Sequence, residues 1–272
     1  MLNEWIGKQE RAEDEVTLGA VRRLAALLDS PAEYRRGDAV PGAWYSILFT
    51  PTARQSSLGP DGHPAKGQFL PPVSLPRRMF AGRRVTIHEP LRIGDEVRRV
   101  STVQSITPKQ GRSGEMCFVT VRHEITGPRG LAVDEEQDIV YRNESLKATS
   151  AKHETETPEW SKIVTPDTTM LFRFSAITFN AHRIHYDSAY TREKEGYPDL
   201  VMNGGLTTLL LWDLATSKTG KDLKASTSRN LRPLFVDRPI TLCGRAANGK
   251  VQVWALDAQG HRAVAAELEM RE

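Results

Sequence analysis

The chain has 272 residues, of which 39% are hydrophobic and 26% are charged. This composition excludes a disordered chain and leaves room for one large domain or two of ordinary size. The net charge of +3 arises from 37 basic and 34 acidic residues that are mixed along the sequence. No basic block therefore predicts a nucleic-acid or membrane-surface partner.

The cysteines and the N-terminus indicate a compartment. Cys117 and Cys243 lie far apart in strand-like runs, and the first residues lack the apolar core of a secretory signal. No apolar run approaches the roughly 20 residues that a membrane-spanning helix needs. We expect a soluble, cytoplasmic protein.

The first predicted element is a helix over residues 13–29, where apolar residues recur at helical spacing. Glycine and proline recur between 51 and 76, which predicts a long surface loop that either shapes a site or wraps the body. The polar stretch 145–162 has no clear period and is interpreted as a linker. It divides the chain into two predicted domains, 1–147 and 160–272.

Both sides of this linker carry the same pattern of strands. A Pro-Leu pair, at 90–91 and again at 233–234, introduces a strand, a hairpin with a glycine turn, and a closing strand. The predicted turns are 127–130 and 257–260. This internal similarity predicts a tandem duplication of one antiparallel unit.

A second helix is predicted over 204–218, where leucines and a tryptophan cover nearly all faces after two leading glycines. Such a helix should be buried. Because antiparallel strands follow it, the sequence predicts an α+β arrangement in which a sheet wraps around this helix.

The stretch FNAHRIHYD, 179–187, gathers Asn180, His182 and His185 in a chain that has seven histidines. Histidine changes charge near neutral pH, so this cluster is typical of an acid/base site, a metal site or a polar turn. His182 and His185 have the spacing of a ligand pair, but no nearby cysteine or third ligand completes a set. We therefore expect no metal.

The segment resembles the D-x-N-P-x-H signature of the MaoC-like hotdog-fold hydratases and dehydratases of acyl thioesters, and LVMNGGL, 200–206, resembles the helix start that follows it. LPRRMFAG, 75–82, and EEQDIVYR, 135–142, are similar to the two-domain branch of that family, which includes itaconyl-CoA and mesaconyl-C4-CoA hydratases and 3-hydroxyacyl-thioester dehydratases. The resemblance implies a double hotdog fold, in which the N-terminal repeat shapes a substrate tunnel and the C-terminal repeat is catalytic.

The resemblance also implies roles for individual residues. It places Asn180 where the family carries a water-holding aspartate, places His182 at the family's asparagine, and retains His185. An amide cannot act as a base, so the base is His185 alone or shared with His182. The backbone amides of Gly204 and Gly205, at a helix N-terminus, would stabilise the enolate-like oxygen.

Arginines beside such a pocket would bind the phosphates of coenzyme A or a distal carboxylate, although on base rates these residues form a solvated face. No cofactor is expected, because coenzyme A is part of the substrate. The candidate arginines are Arg77, Arg78, Arg83, Arg183, Arg229 and Arg232.

The predicted function is reversible hydration of a short dicarboxylic enoyl-CoA, such as itaconyl-CoA, which would give citramalyl-CoA, or mesaconyl-C4-CoA. The alternatives are a 3-hydroxyacyl-thioester dehydratase or R-specific enoyl-CoA hydratase of general chain length, and a non-catalytic acyl-thioester binding module. A thioesterase is less favoured because Asn180 removes the obvious carboxylate. A duplicated chain of this kind is expected to be a monomer or a homodimer.

Overall fold

The computed structural model describes residues 2–111, 114–143 and 156–272, and these residues form a ten-stranded antiparallel sheet with helices packed against it. The strands are β1 (Gln9–Glu15), β2 (Arg77–Ile87), β3 (Glu96–Gly111), β4 (Gly114–Gly127), β5 (Gly130–Arg142), β6 (Trp160–Val164), β7 (Leu223–Asn230), β8 (Ile240–Ala247), β9 (Lys250–Leu256) and β10 (Arg262–Met270). The helices are α1 (Leu18–Leu27), α2 (Thr168–Thr178), α3 (Ser188–Glu193) and α4 (Gly204–Thr219), with short 3-10 helices at Leu2–Trp5, Gly42–Ile47, Gln55–Ser57 and Arg183–His185.

The sheet has the same strand order in its two halves. From its centre outward the N-terminal half runs β2-β5-β4-β3-β1, and the C-terminal half runs β7-β10-β9-β8-β6. Numbered within its own half, the second strand is at the centre in both halves, followed by the fifth, fourth, third and first. This is the expected double hotdog arrangement. Strand β4 shows why these segments are strands, since its buried and partly exposed residues alternate with a period of two.

The two halves meet where β2 pairs antiparallel with β7. Gly82 lies at this junction, beside an irregularity in the register between β2 and β5. A Cβ atom at this position would lie 2.3 Å from the carbonyl oxygen of Ser228. Glycine is needed here because no side chain fits between the two backbones.

Helix α4 occupies the core of the C-terminal half. Leu206, Leu209, Leu211 and Trp212 are almost completely buried, and the Trp212 indole nitrogen donates a hydrogen bond to the Ser226 hydroxyl at 3.0 Å. Burial on all sides confirms the prediction of an internal helix over 204–218, and the structure extends it by one residue. Among the described residues, no helix is long and apolar enough to cross a membrane.

Two sequence predictions need correction in detail. The first helix begins at Leu18, where Thr17 caps it, because 13–15 are the end of edge strand β1. The predicted linker 145–162 runs into β6, which begins at Trp160, and its residues up to 155 lie outside the described ones. The glycine- and proline-rich segment 51–76 is irregular apart from one short 3-10 helix, as predicted.

Candidate active site

His185 ends the 3-10 helix Arg183–His185 and is buried. Its Nδ1 lies 2.7 Å from the carbonyl oxygen of Val201, and a carbonyl can only accept. Nδ1 therefore carries the hydrogen, and Nε2 remains available as an acceptor. Burial lowers the pKa of His185 to about 4, so this imidazole is neutral near pH 7.

The position of His185 is fixed by the chain that leads into α4. The backbone amide of Val201 donates to the carbonyl of Ile184 at 2.9 Å, and the amide of Met202 donates to that of Leu234 at 2.8 Å. The segment 179–187 and the residues before α4 are thus hydrogen-bonded to each other, which brings His185 close to the start of that helix.

A third histidine comes from the N-terminal half. His63 packs against His182 with ring centroids 4.0 Å apart, and His182 packs edge-on against His185 at 5.5 Å. Burial, followed by the neighbouring His63 and His185, holds the pKa of His182 well below its usual value. Three imidazoles, from both halves of the chain, thus form one cluster.

Asp61 belongs to the same cluster. One of its carboxylate oxygens lies 3.0 Å from His63 Nδ1, and the other accepts from the His63 backbone amide at 3.0 Å. Burial opposes ionisation of Asp61, but these hydrogen bonds, the adjacent His63 imidazole and the Arg78 guanidinium outweigh it. The pKa of Asp61 is therefore held well below its usual value, and the carboxylate is ionised.

The loop that carries Asp61 and His63 contacts the segment 179–187 through its backbone. The amide of Arg183 donates to the carbonyl of Asp61 at 3.0 Å. Gly62 has a positive φ of 86°, and a Cβ atom there would lie 1.8 Å from the carbonyl oxygen of Ala181. Only glycine permits this close approach, so segment 51–76 shapes the site as well as wrapping the body.

The sequence analysis weighed a metal site only at the pair His182 and His185, whereas the fold brings His182 together with two residues of the N-terminal half. Asp61, His63 and His182 each offer a ligand atom, and these atoms lie within 4.8 Å of one another. The same geometry is that of an Asp-His hydrogen bond beside a second imidazole. The residues thus suit either a cation or proton transfer.

Asn180 has a local structural role. Its side-chain oxygen accepts a hydrogen bond from the His182 backbone amide at 2.9 Å, which closes the turn before the 3-10 helix. The amide of Asn180 itself donates to the Ser175 carbonyl at 2.9 Å. Asn180 therefore orients His182, and its side-chain NH2 group remains the donor that could contact a ligand.

The N-terminus of α4 lies next to this cluster and is not capped by a side chain. Gly204 and Gly205 are half-buried there, and their position agrees with the predicted oxyanion donors. The preceding residue, Asn203, is buried, and its side-chain nitrogen has no hydrogen-bond partner among the described residues. Asn203 is a donor that the sequence reading missed.

The structure separates the six candidate arginines. Arg83 forms a buried ion pair with Glu135 at 3.2 Å. Arg183 binds Asp187, and Arg232 binds Asp257 at 3.1 Å. The charges of these three are balanced within the protein.

The remaining three candidates are Arg77, Arg78 and Arg229. Arg77 donates to the Glu195 carbonyl at 2.7 Å, and Arg229 is exposed on β7. Arg78 is half-buried and has no ion-pair partner at bonding distance among the residues that the structure describes. Its charge nevertheless acts on both Asp61 and His182, so it lies closest to the cluster in electrostatic terms.

A separate groove of about 380 Å³ crosses the sheet at the β2–β7 junction. Its lining includes Arg122 and Lys250, which pair with Asp134 and Glu267 at 2.8 Å and 2.6 Å. None of the histidines of the cluster lines it. This groove therefore belongs to the charged surface of the sheet.

Comparison with known proteins agrees with this fold and site. Residues 43–236 match the family model of hydroxyacyl-thioester dehydratase type 2. The chain is 42% identical over 271 residues to the mesaconyl-C(4)-CoA hydratase of Chloroflexus aurantiacus, covering 98% of this chain and 96% of that one. A solved MaoC-like dehydratase superposes with a TM-score of 0.74 at 15% identity, covering 100% of this chain and 99% of the other. A Mycobacterium tuberculosis protein with a double hotdog fold gives 0.61 at 12% identity, covering 97% and 96%.

The fold and the histidine site define a double hotdog enzyme of the hydratase and dehydratase class. The chain belongs to the hydroxyacyl-thioester dehydratase type 2 family. The predicted family, the α+β double hotdog fold and the enzyme class are thereby confirmed. The roles assigned to single residues and to each half of the chain stay predictions.

Two members of the cluster, Asp61 and His63, were missed by sequence reasoning. They lie in the segment PDGHP, within the glycine- and proline-rich loop. A histidine two residues after an aspartate in a loop suspected of shaping a site was the available signal. No local pattern linked it to His182, because the contact is made only by the fold.

Proposed function

We propose that this enzyme hydrates a short enoyl-CoA that carries a second carboxylate, with mesaconyl-C4-CoA as the first candidate and itaconyl-CoA as the second. The observation that carries the proposal is Arg78, a half-buried guanidinium with no carboxylate at ion-pair distance among the described residues, whose charge lowers the pKa of both Asp61 and His182. The similarity to a mesaconyl-C(4)-CoA hydratase supports the same substrate class.

Hydration of an enoyl thioester needs three features from the protein. Water must be held and deprotonated near the β-carbon, negative charge on the thioester oxygen must be stabilised, and a proton must reach the α-carbon. The neutral Nε2 of His185 can accept a hydrogen bond from the water. The amides of Gly204 and Gly205, with the Asn203 side chain, can donate to the thioester oxygen.

A second carboxylate gives Arg78 a partner. In a short diacid the carboxylate is only a few bonds from the double bond, so its binding group must lie next to the acid/base residues. A guanidinium binds a carboxylate in a fixed bidentate geometry, which would align the double bond as well as contribute affinity. A substrate with a plain alkyl chain would offer Arg78 no carboxylate at bonding distance, and only its longer-range interaction with Asp61 would remain.

The alternatives have less support. A thioesterase would use the same oxyanion donors but would need a carboxylate to drive water onto the carbonyl, and Asn180 removes the obvious candidate in the signature segment. A pure binding module would not need an ionised Asp61 hydrogen-bonded to His63 beside the neutral His185. A cytoplasmic location and a monomeric or homodimeric state stay predictions from the sequence.

Mass spectrometry of the reaction products tests this proposal. Mesaconyl-C4-CoA, itaconyl-CoA and crotonyl-CoA would be incubated separately with the wild type, with Arg78→Gln and with Arg98→Gln. Arg98 is the control, because it is exposed on β3 and pairs with Glu13 at 3.1 Å. We expect the gain of one water on a dicarboxylic substrate.

Arg78→Gln should lower kcat/KM on the dicarboxylic substrate by about 10- to 100-fold, the value of a charge-assisted hydrogen bond, and should change the rate on crotonyl-CoA little. Arg98→Gln should behave as the wild type. An equal loss on all three substrates would assign Arg78 to the coenzyme A moiety. Release of free acid and thiol would replace hydration by thioester hydrolysis.

A further inference from the structure

We propose that Asp61 and His63 form the acid–base dyad of this active site and replace the aspartate that the family pattern carries at position 180. The dyad belongs to the N-terminal half of the chain, whereas His182 and His185 belong to the C-terminal half. This inference rests on the hydration or dehydration reaction of the proposed function but not on the dicarboxylic substrate.

The geometry of the dyad fixes the tautomer of His63. The ionised Asp61 can only accept, so the 3.0 Å contact to Nδ1 places a hydrogen on that nitrogen and leaves Nε2 as the acceptor. The second oxygen of Asp61 is held by the His63 backbone amide at 3.0 Å, which keeps the carboxylate in place. The side chains of His63 and Asp61 are 27% and 35% exposed, so the dyad is reachable from solvent while partly desolvated.

His185 and His63 differ in the group that accepts the Nδ1 hydrogen. His185 Nδ1 donates to a neutral carbonyl in a buried position, whereas His63 Nδ1 donates to a carboxylate. An imidazole whose Nδ1 hydrogen is held by a carboxylate has the arrangement of an acid–base dyad, so we assign the proton transfer to His63. His182 contacts both rings, with centroid distances of 4.0 Å to His63 and 5.5 Å to His185.

Asn180 is the reason why another residue must take the role of the family's aspartate. Its side-chain oxygen is occupied by the His182 backbone amide, and an amide cannot take up a proton in any case. The carboxylate closest to the cluster is that of Asp61. Its loop is held against the catalytic segment by the hydrogen bond from Arg183 and by the contact of Gly62 with Ala181.

The proton can complete a cycle on one residue. As the water oxygen forms its bond to the β-carbon, one O–H bond breaks and the proton passes to Nε2 of His63. The π electrons move through the α-carbon onto the thioester oxygen. The imidazolium then returns the proton to the α-carbon, the carbonyl reforms, and His63 is neutral again. The neutral His185 holds the water by a second hydrogen bond, and dehydration follows the same steps in reverse.

Kinetics of His63→Gln, His63→Ala, Asp61→Asn and a control test the dyad. The matched control is His261→Gln, because His261 also lies next to an aspartate, Asp257, at 3.3 Å and is similarly half-buried, in the β9–β10 turn. Each variant would be assayed on mesaconyl-C4-CoA and on crotonyl-CoA, with its melting temperature recorded.

We expect His63→Gln to lower kcat by about 100- to 10,000-fold on each substrate that the wild type converts, the range for general acid–base catalysis, with little change in KM or melting temperature. Added imidazole should restore part of the rate of His63→Ala. Asp61→Asn should also lower kcat with little change in KM, because an amide at this position can hold either tautomer of His63 and no longer keeps Nε2 as the acceptor. His261→Gln should match the wild type.

Two results would overturn the dyad. The first is a rate of His63→Gln within about threefold of the wild type, far less than an acid–base group contributes. The second is loss of wild-type activity in a chelator with recovery on adding Zn²⁺, which would make Asp61, His63 and His182 metal ligands. Because each ratio is taken within one substrate, failure on the dicarboxylic substrate alone would count against the proposed function and leave the dyad tested on crotonyl-CoA.

Discussion

At the scale of single residues, the chemistry of this site depends on which group accepts the Nδ1 hydrogen of each imidazole. The sequence located His182 and His185 because they lie three positions apart in one segment. It could not locate His63, whose partners are distant in the chain and whose own neighbourhood consists of turn residues. The family pattern also placed Asn180 at the acidic position, but only the structure shows what its amide oxygen contacts.

Asn180 offers a test at this scale. Asn180→Asp keeps an oxygen that can accept from the His182 backbone amide, so we expect a folded enzyme that retains turnover. Asn180→Ala removes that acceptor and should lower the free energy of unfolding by about 1 kcal/mol, the usual value for one hydrogen bond. Urea denaturation and a hydration assay measure the two effects. A stable but inactive Asn180→Asp would instead show that the side-chain NH2 group is needed as a donor.

At the scale of elements, the sequence predicted best the elements whose own residues determine their burial. Helix α4 has apolar residues on all sides and a glycine entry, and its limits agree with the prediction to one residue. Strand β1 is the opposite case, because QERAEDE has no apolar alternation. It is a strand because it pairs with β3 at the edge of the sheet, and such pairing is not written in its own residues.

The start of α4 gives a prediction for this scale. A Cβ atom on Gly205 would have only ordinary contacts, the nearest being Asn203 Oδ1 at 3.6 Å, so Gly205→Ala should fold normally. The methyl group would nevertheless occupy the space in front of the helix amides. We expect kcat/KM to fall by roughly 100-fold, comparable to the loss of one oxyanion donor.

Gly19→Ala is the control for this change, because Gly19 is likewise the second residue of a helix, α1, and its nearest neighbour is the flexible end of Arg23 at 3.4 Å. Its activity should equal that of the wild type. If Gly205→Ala were as active as Gly19→Ala, the substrate would not approach the start of α4.

At the scale of the whole molecule, duplication explains why a site can be built from both halves. The repeat pattern in the sequence was enough to predict two similar units, and the continuous sheet joins them through β2 and β7. The pattern could not predict which parts of the two halves contact each other. The loop of the N-terminal half that carries His63 contacts the segment 179–187 of the C-terminal half. This contact depends on Gly62 and on backbone atoms.

The stability of the whole chain should depend on pH through its buried histidines. His123, which contacts the Ser101 hydroxyl at 2.8 Å, is buried near Glu135, Arg99 and Arg83. Burial lowers its pKa to about 4, as it does for His185. The unfolded chain therefore takes up protons below about pH 6.5 before the folded chain does, and stability that is complete above that pH is lost as the pH falls.

Each of these two histidines should cost about 2 kcal/mol of unfolding free energy between pH 6.5 and 5, from 1.36 kcal/mol per pH unit over that interval. Urea denaturation of the wild type at both pH values should show the loss, and His123→Gln should reduce it by about 2 kcal/mol, since glutamine does not titrate. His88→Gln is the control, because His88 is exposed and should leave the loss unchanged. An equal loss in His123→Gln and the wild type would show that His123 takes up its proton in the folded protein as readily as in the unfolded chain.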